Sequence, residues 1–253
     1  MANPIEIIHV TAENVAGTGF FCYMSKRNSP GYQQKSNWLQ ARFHEGMRIK
    51  ILKLPDRGFI EYIPGEYAWR AVDASGYMFI HCIWVVGKSK GKGFAQKLLE
   101  ICLKDAEESG YNGVAILTSR GNWLVDKKLF IANKFEEVDT AQPSFHLLVR
   151  KFGPGPNPRF TGGWDNKCKK YGKGLTVIRT EQCPYIEDGA NMVTEFARSH
   201  QIPSRVVTLK SAEAIRKKAA SPYGVFSVVY NGKLLSYHYL LEKDLKKRLI
   251  ISG

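Results

Sequence analysis

The sequence lacks the residue patterns that cross-link small proteins or bind a structural metal. Its five cysteines, Cys22, Cys82, Cys102, Cys168 and Cys183, are odd in number and scattered, and no two of them form a C-x-x-C pair. No cysteine and histidine cluster has the spacing of a zinc site. We therefore expect neither a disulfide framework nor a bound metal. Cys82 and Cys102 lie in apolar patterns and are predicted to be core residues.

Long apolar runs are also missing. The longest, Met78 to Val86, is less than half of a membrane span and is interrupted by His81. The amino terminus, MANPIEIIHV, lacks the basic start and the apolar stretch of a secretory signal. These absences predict a soluble, cytoplasmic protein without a membrane partner.

Acidic residues are scarce beside basic ones, 23 against 37, which gives a net charge of +14. Such a field attracts anions of every kind, including nucleic acids, acidic substrates and phosphorylated cofactors, and an ordinary solvated basic surface would produce it too. The aromatic residues are not interleaved with the basic runs in any recognised nucleic-acid motif. Nucleic acid is therefore the weakest of the candidate partners.

The 253 residues, 44% of them hydrophobic, suffice for one large domain or two small ones. A stretch rich in glycine and proline divides the chain. We predict a first domain over 1–152, a Gly/Pro-rich linker over 153–171 and a second domain over 172–253. The second domain has the order β-α-β-α-β-β-α, which is the plan of a small thioredoxin-like α/β domain, with a hairpin at Asn231-Gly232.

The patterns of the first domain predict an α/β fold of the α+β kind, with a mixed, mostly antiparallel sheet. One β-loop-α-β crossover lies in its middle, where the strand YMFIHCIWVV precedes a helix and the strand GVAILTS follows it. Gly110 is placed to end that helix. A further helix is predicted over NWLVDKKLFIANK. The apolar face of the crossover helix is predicted to comprise Phe94, Leu98, Leu99, Cys102, Leu103 and Ala106.

The loop of the crossover, GKSKGKGFA at residues 87–95, has the composition of a phosphate-binding loop that opens a helix. A Walker A loop would need glycine where Cys82 stands. A dinucleotide fingerprint would need its third glycine where Gln96 stands. The segment Lys90 to Ala95 does fit [Q/R]-x-x-G-x-[G/A], with lysine in the first position.

At this point the chain resembles the GCN5-related N-acetyltransferase (GNAT) family, over roughly residues 4–150. The order of elements agrees, and LFIANKFEEV resembles the family's L-Y-x-x-x-G-F turn, although Asn133-Lys134 stands where glycine is common. The resemblance implies the GNAT fold and acetyl-CoA as a co-substrate. It also implies direct transfer, in a ternary complex, of the acetyl group to an amine of a small-molecule acceptor.

The resemblance assigns the coenzyme A contacts to the strand and its loop. The backbone of Ile83, Trp84 and Val85 would pair with the pantetheine arm, and Asn122 resembles a common CoA-contacting asparagine. Lys88, Lys90 and Lys92 would add attraction for phosphate, or would simply be solvated lysines. The N–H groups that would hold the pyrophosphate are those of Lys90, Gly91, Lys92, Gly93, Phe94 and Ala95.

The catalytic groups depart from the family pattern. Phe130 replaces the tyrosine that often protonates the departing thiolate, so either the thiolate leaves unaided or Ser119, Thr118 or a water takes this role. Phe79 stands where a glutamate base is common. His81, two residues along the same strand face, is the first candidate base, and Glu61 on the preceding strand is the second. An ordinary core histidine is the alternative interpretation of His81.

In the second domain, Cys183-Pro184-Tyr185-Ile186 has the position of a thioredoxin or glutaredoxin active site. Ile186 replaces the second cysteine, so no internal disulfide can form there, and Pro222 resembles the cis-proline that accompanies such a motif. The combined chain resembles the YoaP-like proteins of bacteria, whose second domain matches roughly residues 172–250. The alternative interpretation of Cys183 is a relic of the fold with a structural or substrate-binding use. Two hypotheses for the whole chain follow: an N-acetyltransferase, or a CoA-binding monothiol redox protein that uses Cys183.

Overall fold

The structure, a computed structural model, describes residues 5–120 and 124–250, with no side chain described at 250. The chain forms two compact units. The first contains the described residues of Met1–Ser25, Ser36–Ala68 and Val72–Phe160, and the second those of Lys26–Lys35, Trp69–Ala71 and Thr161–Gly253. Two short segments from the amino-terminal half thus belong to the second unit, which boundaries drawn along the sequence did not anticipate.

The first unit is built on a mixed sheet. Its strands are β1 (Ile7–Val10), β2 (Arg48–Leu52), β3 (Gly58–Pro64), β4 (Val72–Asp73), β5 (Met78–Val85), β6 (Gly113–Ser119), β7 (Glu136–Ala141), β8 (Phe145–Lys151) and β9 (Arg159–Phe160). The helices of this half are α1 (Val15–Thr18), α2 (Pro30–His44), α3 (Phe94–Glu108) and α4 (Lys128–Ala132). Seven strands form one sheet in the order β1-β2-β3-β5-β6-β8-β7, and its pairs are antiparallel except for β5 with β6. The predicted fold class is confirmed.

The α3 helix crosses over between the two parallel strands and covers one face of the sheet. All six residues of its predicted apolar face are buried, and they pack with Ile60, Tyr62, Ile80 and Ile116 of the strands. Gly110 follows the helix with φ of +76°, a left-handed conformation that glycine adopts without strain. Burial of this apolar face fixes where α3 begins and therefore where the preceding loop lies.

The helix predicted over NWLVDKKLFIANK is shorter than expected. Residues 121–123 lie outside the described part of the chain, and the helix that follows begins only at Lys128. The Asp126 carboxylate accepts the backbone N–H of Lys128 at 2.9 Å, and this local bond competes with helix formation further upstream. Lys134, with φ of +62°, takes the left-handed conformation beyond the end of the helix.

The second unit is a smaller α/β structure. Its strands are β10 (Leu175–Arg179), β11 (Ser204–Thr208), β12 (Phe226–Tyr230) and β13 (Lys233–Ser236), and its helices are α5 (Trp164–Lys169), α6 (Tyr185–Ser199), α7 (Ala212–Lys218) and α8 (Glu242–Ile250). The sheet order is β11-β10-β12-β13, with β10 parallel to β11 and the other pairs antiparallel. Asn231 and Gly232 both have positive φ, as a tight hairpin turn requires, so that hairpin is confirmed.

The segment 153–171, which we predicted to be a linker, contains β9 and α5. In the first unit, β9 pairs with β4, and the Asp139 carboxylate accepts the N–H of Phe160 at 2.8 Å. In the second unit, the Tyr171 hydroxyl donates to the Lys218 carbonyl at 2.6 Å. The composition of the segment predicted irregular chain. The residues that order it lie far away in the sequence, so they leave no local pattern within the segment.

The excess positive charge of the protein is not concentrated around the glycine- and lysine-rich loop of residues 87–95. The second unit carries 20 of the 37 basic residues but only 8 of the 23 acidic ones. The net charge of +14 is therefore mainly a property of the second unit.

A cluster of charges holds α3 against β2 and β3 of the first sheet. The Asp105 carboxylate accepts a hydrogen bond from the Tyr62 hydroxyl at 2.5 Å and lies 3.1 Å from Lys50 Nζ and 3.4 Å from Arg48 Nη1. Burial acts to raise the pKa of Asp105, but these hydrogen bonds and positive charges outweigh it and leave the pKa below its usual value. The ionised carboxylate thus stabilises the fold.

Replacing Asp105 by asparagine is expected to lower the free energy of unfolding by about 1 kcal/mol at neutral pH. Because the pKa is depressed in the folded state, this contribution is present above the unfolded value of about 4 and is lost as the pH falls through the folded value. Urea unfolding between pH 7 and pH 3 should show that the free energies of unfolding of the protein with Asp105 and of the asparagine variant converge as the pH falls. Glu108→Gln, at an exposed pair on the same helix, is the control, and an equal effect there would contradict the prediction.

Candidate functional site

The two parallel strands of the first unit separate part-way along their length. Pairing between β5 and β6 runs from Met78 with Val114 to Ile80 with Ile116. Both strands lie wholly within the described residues, yet β5 continues to Val85 and β6 to Ser119 without further pairs. Between them is a gap bordered by the backbone of residues 81–85. An extended ligand could enter such a gap and pair with the strand as an added strand would.

A β-bulge lies where the gap begins. Glu61 pairs with Cys82 and Tyr62 pairs with Ile80, so His81 is the extra residue on β5. A bulge of this kind re-aims a side chain and bends its strand. Here it coincides with the first candidate base.

The structure brings the two candidate bases together. His81 Nδ1 lies 3.2 Å from Glu61 Oε1, and the side chains are 0% and 4% exposed. The rings of Trp38 and Phe79 lie 6.2 Å from the imidazole, centre to centre. A carboxylate only accepts hydrogen bonds, so with Glu61 ionised Nδ1 is the donor and the lone pair is on Nε2.

The loop after β5 has the conformation that close approach of an anion requires. Gly91 and Gly93 have φ of +77° and +78°, and the space where a Cβ would stand is open at both. Gly93 precedes α3, and no side chain of the described residues caps this helix terminus. The first-turn N–H groups of a helix have no intrahelical partner and carry the positive end of its dipole. Lys88, Lys90 and Lys92 around them are exposed.

A buried serine, which the sequence did not single out, anchors this loop. Ser89 is 3% exposed, and its Oγ accepts the N–H of Arg57 at 2.9 Å and donates to Asp56 Oδ1 at 3.0 Å. Lys92 Nζ lies 3.3 Å from the same carboxylate oxygen. The only signal for Ser89 in the sequence is that "GKS" lies next to the glycines, and this pattern indicates no more than an incomplete Walker A loop.

Ser89→Ala is expected to lower the free energy of unfolding by about 1–2 kcal/mol, because the Arg57 N–H and the Asp56 carboxylate each lose a partner. It should also weaken binding of an anion to the loop several-fold. Urea unfolding and calorimetry with coenzyme A measure the two effects. Ser109→Ala, which removes two hydrogen bonds at the far end of α3, is the control and should leave binding unchanged. Equal affinity for both variants would show that Ser89 does not shape the loop.

Two departures from motif patterns contact each other. The side-chain amides of Gln96 and Asn133 exchange hydrogen bonds of 2.6 and 2.7 Å, and Asn133 also donates to the Leu129 carbonyl at 2.8 Å. This pair ties the first turn of α3 to the end of α4. The Gln96 side chain therefore helps to position the start of α3, which gives a structural reason for glutamine at the third glycine position of the dinucleotide pattern.

The other predicted residues lie as follows. Phe130 is completely buried and packs edge-on against Phe135 at 5.2 Å. Ser119 is the last residue of β6, where its Oγ lies 2.8 Å from Ser144 Oγ. The Thr118 hydroxyl donates to the His146 carbonyl at 3.3 Å. Asn122 lies outside the described residues.

In the second unit, Cys183 is half-buried, and only Pro184 separates it from the start of α6. Ile186, in the place of a second cysteine, is buried in the core of this unit. The Ser221–Pro222 peptide bond is trans, since the cis bonds of the described chain precede Pro55 and Pro143. It differs in this from the cis-proline site that the sequence resembles.

Neither a metal cluster nor a membrane helix is found in the described chain. Residues 5–120 and 124–250 hold no group of three or more histidine, cysteine, aspartate or glutamate side chains placed to bind a metal ion. Over the same ranges, every helix is too short or too polar to cross a bilayer.

Among solved structures, the chain is similar to several acetyltransferases. An acetyltransferase from Thermus thermophilus is 16% identical, with a TM-score of 0.43, over 58% of this chain and 97% of that one. A GNAT family acetyltransferase from Brucella melitensis in complex with acetyl-CoA is 15% identical, with a TM-score of 0.39, over 60% and 91%. The PaiA N-acetyltransferase from Thermoplasma acidophilum in complex with coenzyme A is 16% identical, with a TM-score of 0.41, over 58% and 99%.

Among curated proteins, the chain is similar to one relative over nearly its whole length. It is 29% identical over 246 residues to the uncharacterized N-acetyltransferase YoaP of Bacillus subtilis strain 168. The matched region covers 96% of this chain and 97% of that protein. No family model matches the chain.

Proposed function

We propose that the protein is an acetyl-CoA-dependent N-acetyltransferase that acts on an amine by direct transfer in a ternary complex. The observation that carries the proposal is the strand gap beside β5, which lies directly ahead of an uncapped helix terminus and its two left-handed glycines. A ligand with an extended arm and a pyrophosphate fits both features together. The full-length similarity to a protein named as an N-acetyltransferase supports this interpretation.

The residues present suit coenzyme A. The backbone of Ile83, Trp84 and Val85 would pair with the pantetheine arm, and N–H groups from Lys90 to Ala95 would hold the pyrophosphate. The thioester would then lie near the start of the gap. Backbone N–H groups of residues 83–85 would stabilise the oxyanion that forms during transfer.

His81 is proposed as the base and Glu61 as the group that orients it. The Glu61 carboxylate holds the proton on Nδ1 and would stabilise the imidazolium formed when Nε2 accepts a proton from the acceptor amine. The bulge aims the ring away from the α3 face, since its neighbour Ile80 packs on that side. An imidazole is suited to this task near neutral pH.

Ser119 is proposed to protonate the departing thiolate, because Phe130 has no hydroxyl. Val114 and Ile116 of the same strand pack toward α3, so alternation places Ser119 on the opposite face, with Glu61. Its hydrogen bond to Ser144 supplies a second hydroxyl through which the proton can be replaced.

A second candidate function rests on Cys183. Its place immediately before a 15-residue helix favours a thiolate, and the element order and sheet pairing support a thioredoxin-like second domain. With Ile186 in place of the second cysteine, the chemistry would be that of a monothiol. The first unit would then serve only to bind coenzyme A.

Three measurements separate the acetyltransferase from the monothiol redox protein. Calorimetry with acetyl-CoA on the full chain should give a dissociation constant between about 1 μM and 1 mM, and no binding at millimolar concentration would refute the acetyltransferase. A panel of amines, assayed by release of free CoA thiol, then tests transfer. Cys183→Ser should transfer normally, whereas loss of transfer with binding intact would favour the thiol function.

A further inference from the structure

An aromatic wall lies on the sheet face opposite α3. Phe59 of β3 and Trp84 of β5 are paired across the strands, and Phe21 stacks on Phe59 with ring centres 4.7 Å apart and meets Trp84 edge-on at 6.0 Å. Trp84 is 45% exposed, Phe21 is half-buried and Phe59 is buried. The three rings thus form a wall that is open to solvent at its outer end.

The wall shares its face with the proposed base. Ile60 and Tyr62 on β3 and Ile83 on β5 pack toward α3. Because side chains alternate along a strand, the neighbouring residues Phe59, Glu61 and Trp84 project to the other side. The Trp84 backbone lies at the gap while its side chain stands perpendicular to the sheet. Backbone and side chain of this strand can therefore serve two different ligands.

The backbone beside the wall is strained. Phe21 and Tyr23 have φ of +82° and +56°, a left-handed conformation that bulky residues rarely adopt. Such strain costs about 1–3 kcal/mol per residue and concentrates at ligand sites. In this conformation the Phe21 ring stacks on Phe59.

The distance from the wall to the base sets the length of a ligand that reaches both. Phe59 and Glu61 are two residues apart on β3, which is about 7 Å along a strand. A phenyl ring joined to an amine by two or three carbons spans about 5–7 Å from ring centre to nitrogen, with bonds of about 1.5 Å. Glu61 lies at the inner end of the wall, where an ionised carboxylate would attract an ammonium group.

We propose that the acceptor is a primary amine that carries an aromatic ring two or three carbons from its nitrogen. The ring packs on the exposed parts of Phe21 and Trp84, which Phe59 supports from below, and the nitrogen reaches the His81–Glu61 pair. This inference rests on the proposed acetyltransferase function. In the reaction the amine nitrogen bonds to the carbonyl carbon of the thioester and the C–S bond breaks. Before the nitrogen attacks, His81 takes one proton from the bound ammonium and later releases it to solvent. The nitrogen loses a second proton as the amide forms and the thiolate gains one, which leaves an N-acetyl amine and free coenzyme A.

The test is a series of amines at saturating acetyl-CoA, with the full chain and free thiol as the readout. Benzylamine, 2-phenylethylamine, 3-phenylpropylamine and 4-phenylbutylamine vary the spacer, and ethanolamine and putrescine lack the ring. We expect kcat/KM to be highest with two or three carbons, at least tenfold above benzylamine and above both ring-free amines. Equal rates across the series, or higher rates for the ring-free amines, would overturn the inference and leave the acetyltransferase standing. No thiol release with any amine would overturn both.

Two variants test the wall itself. Phe21→Ala and Trp84→Ala should each raise KM for the best aromatic amine about tenfold and leave the dissociation constant of acetyl-CoA unchanged. Tyr67→Ala, at an exposed aromatic residue outside the wall, is the matched control and should change neither. If the wall variants instead weaken acetyl-CoA and spare the amine, the wall belongs to the coenzyme and the inference is wrong.

Discussion

Replacing His81 by glutamine is expected to lower kcat for acetyl transfer by about 10²–10³-fold, which is the usual contribution of a positioned general base. Glutamine keeps much of the size of the imidazole and can hydrogen-bond to Glu61, but it cannot accept a proton at neutral pH. The dissociation constant of acetyl-CoA should stay within a factor of two, because the groups proposed to hold the coenzyme are backbone groups downstream of His81. Steady-state kinetics with the best amine, together with calorimetry, measure both quantities.

A second histidine and glutamate pair in the same sheet offers a matched control. His146 Nδ1 lies 2.8 Å from Glu137 Oε2, on β8 and β7, and both side chains are partly exposed. His146→Gln should therefore leave kcat unchanged. Full activity of His81→Gln would show that the buried pair is structural.

Glu61→Gln should lower kcat by about tenfold or more, since the orienting charge is lost while the base remains. Removing one member of a buried charged pair also costs stability. Near-ultraviolet circular dichroism and acetyl-CoA binding confirm that each variant is folded before its rate is interpreted.

Replacing both Gly91 and Gly93 by alanine is expected to weaken acetyl-CoA binding at least tenfold, which is about 1.4 kcal/mol. Each glycine has a left-handed φ that costs an alanine about 1–2 kcal/mol, so the loop should shift toward another conformation. A Cβ at either position would also project into the open space from which an anion approaches. Calorimetry with acetyl-CoA measures the loss.

Gly110→Ala separates the loss of stability from the loss of binding. Gly110 has nearly the same φ, +76°, and equally open surroundings, but it lies at the opposite end of α3. Its replacement should destabilise the fold by a similar amount per residue and leave the dissociation constant of acetyl-CoA unchanged. A similar loss of affinity in both proteins would mean that the loop does not bind the pyrophosphate.

Local patterns accounted for much of the architecture. The strands predicted at YMFIHCIWVV and GVAILTS are observed as β5 and β6, and the whole apolar face of α3 is buried as predicted. Periodicity is reliable where one face of an element is buried along its length, because the burial itself creates the pattern. The short α4 and the ordered segment 153–171 were missed, since both depend on bonds to particular partners rather than on a repeating pattern.

The candidate site could likewise be predicted only in part from local patterns. The glycine spacing of residues 91 and 93, and the candidacy of His81 and Glu61, were readable from residue type and position. Their pairing was not, because a bulge that shifts the register of β3 against β5 by one residue leaves no mark in the sequence of either strand. Ser89 was missed for a similar reason, as its two partners belong to a turn more than thirty residues away.

By itself, the sequence determined the mixed fold, the start of α3 and the glycine-rich loop ahead of it, since each depends on neighbours close in the chain. Only the tertiary structure decided that β5 and β6 part after three pairs, that a buried carboxylate orients the histidine, and that three rings stand beside them. Those features arise from contacts between strands and loops that are distant along the chain, and such contacts take shape only when the sheet is assembled.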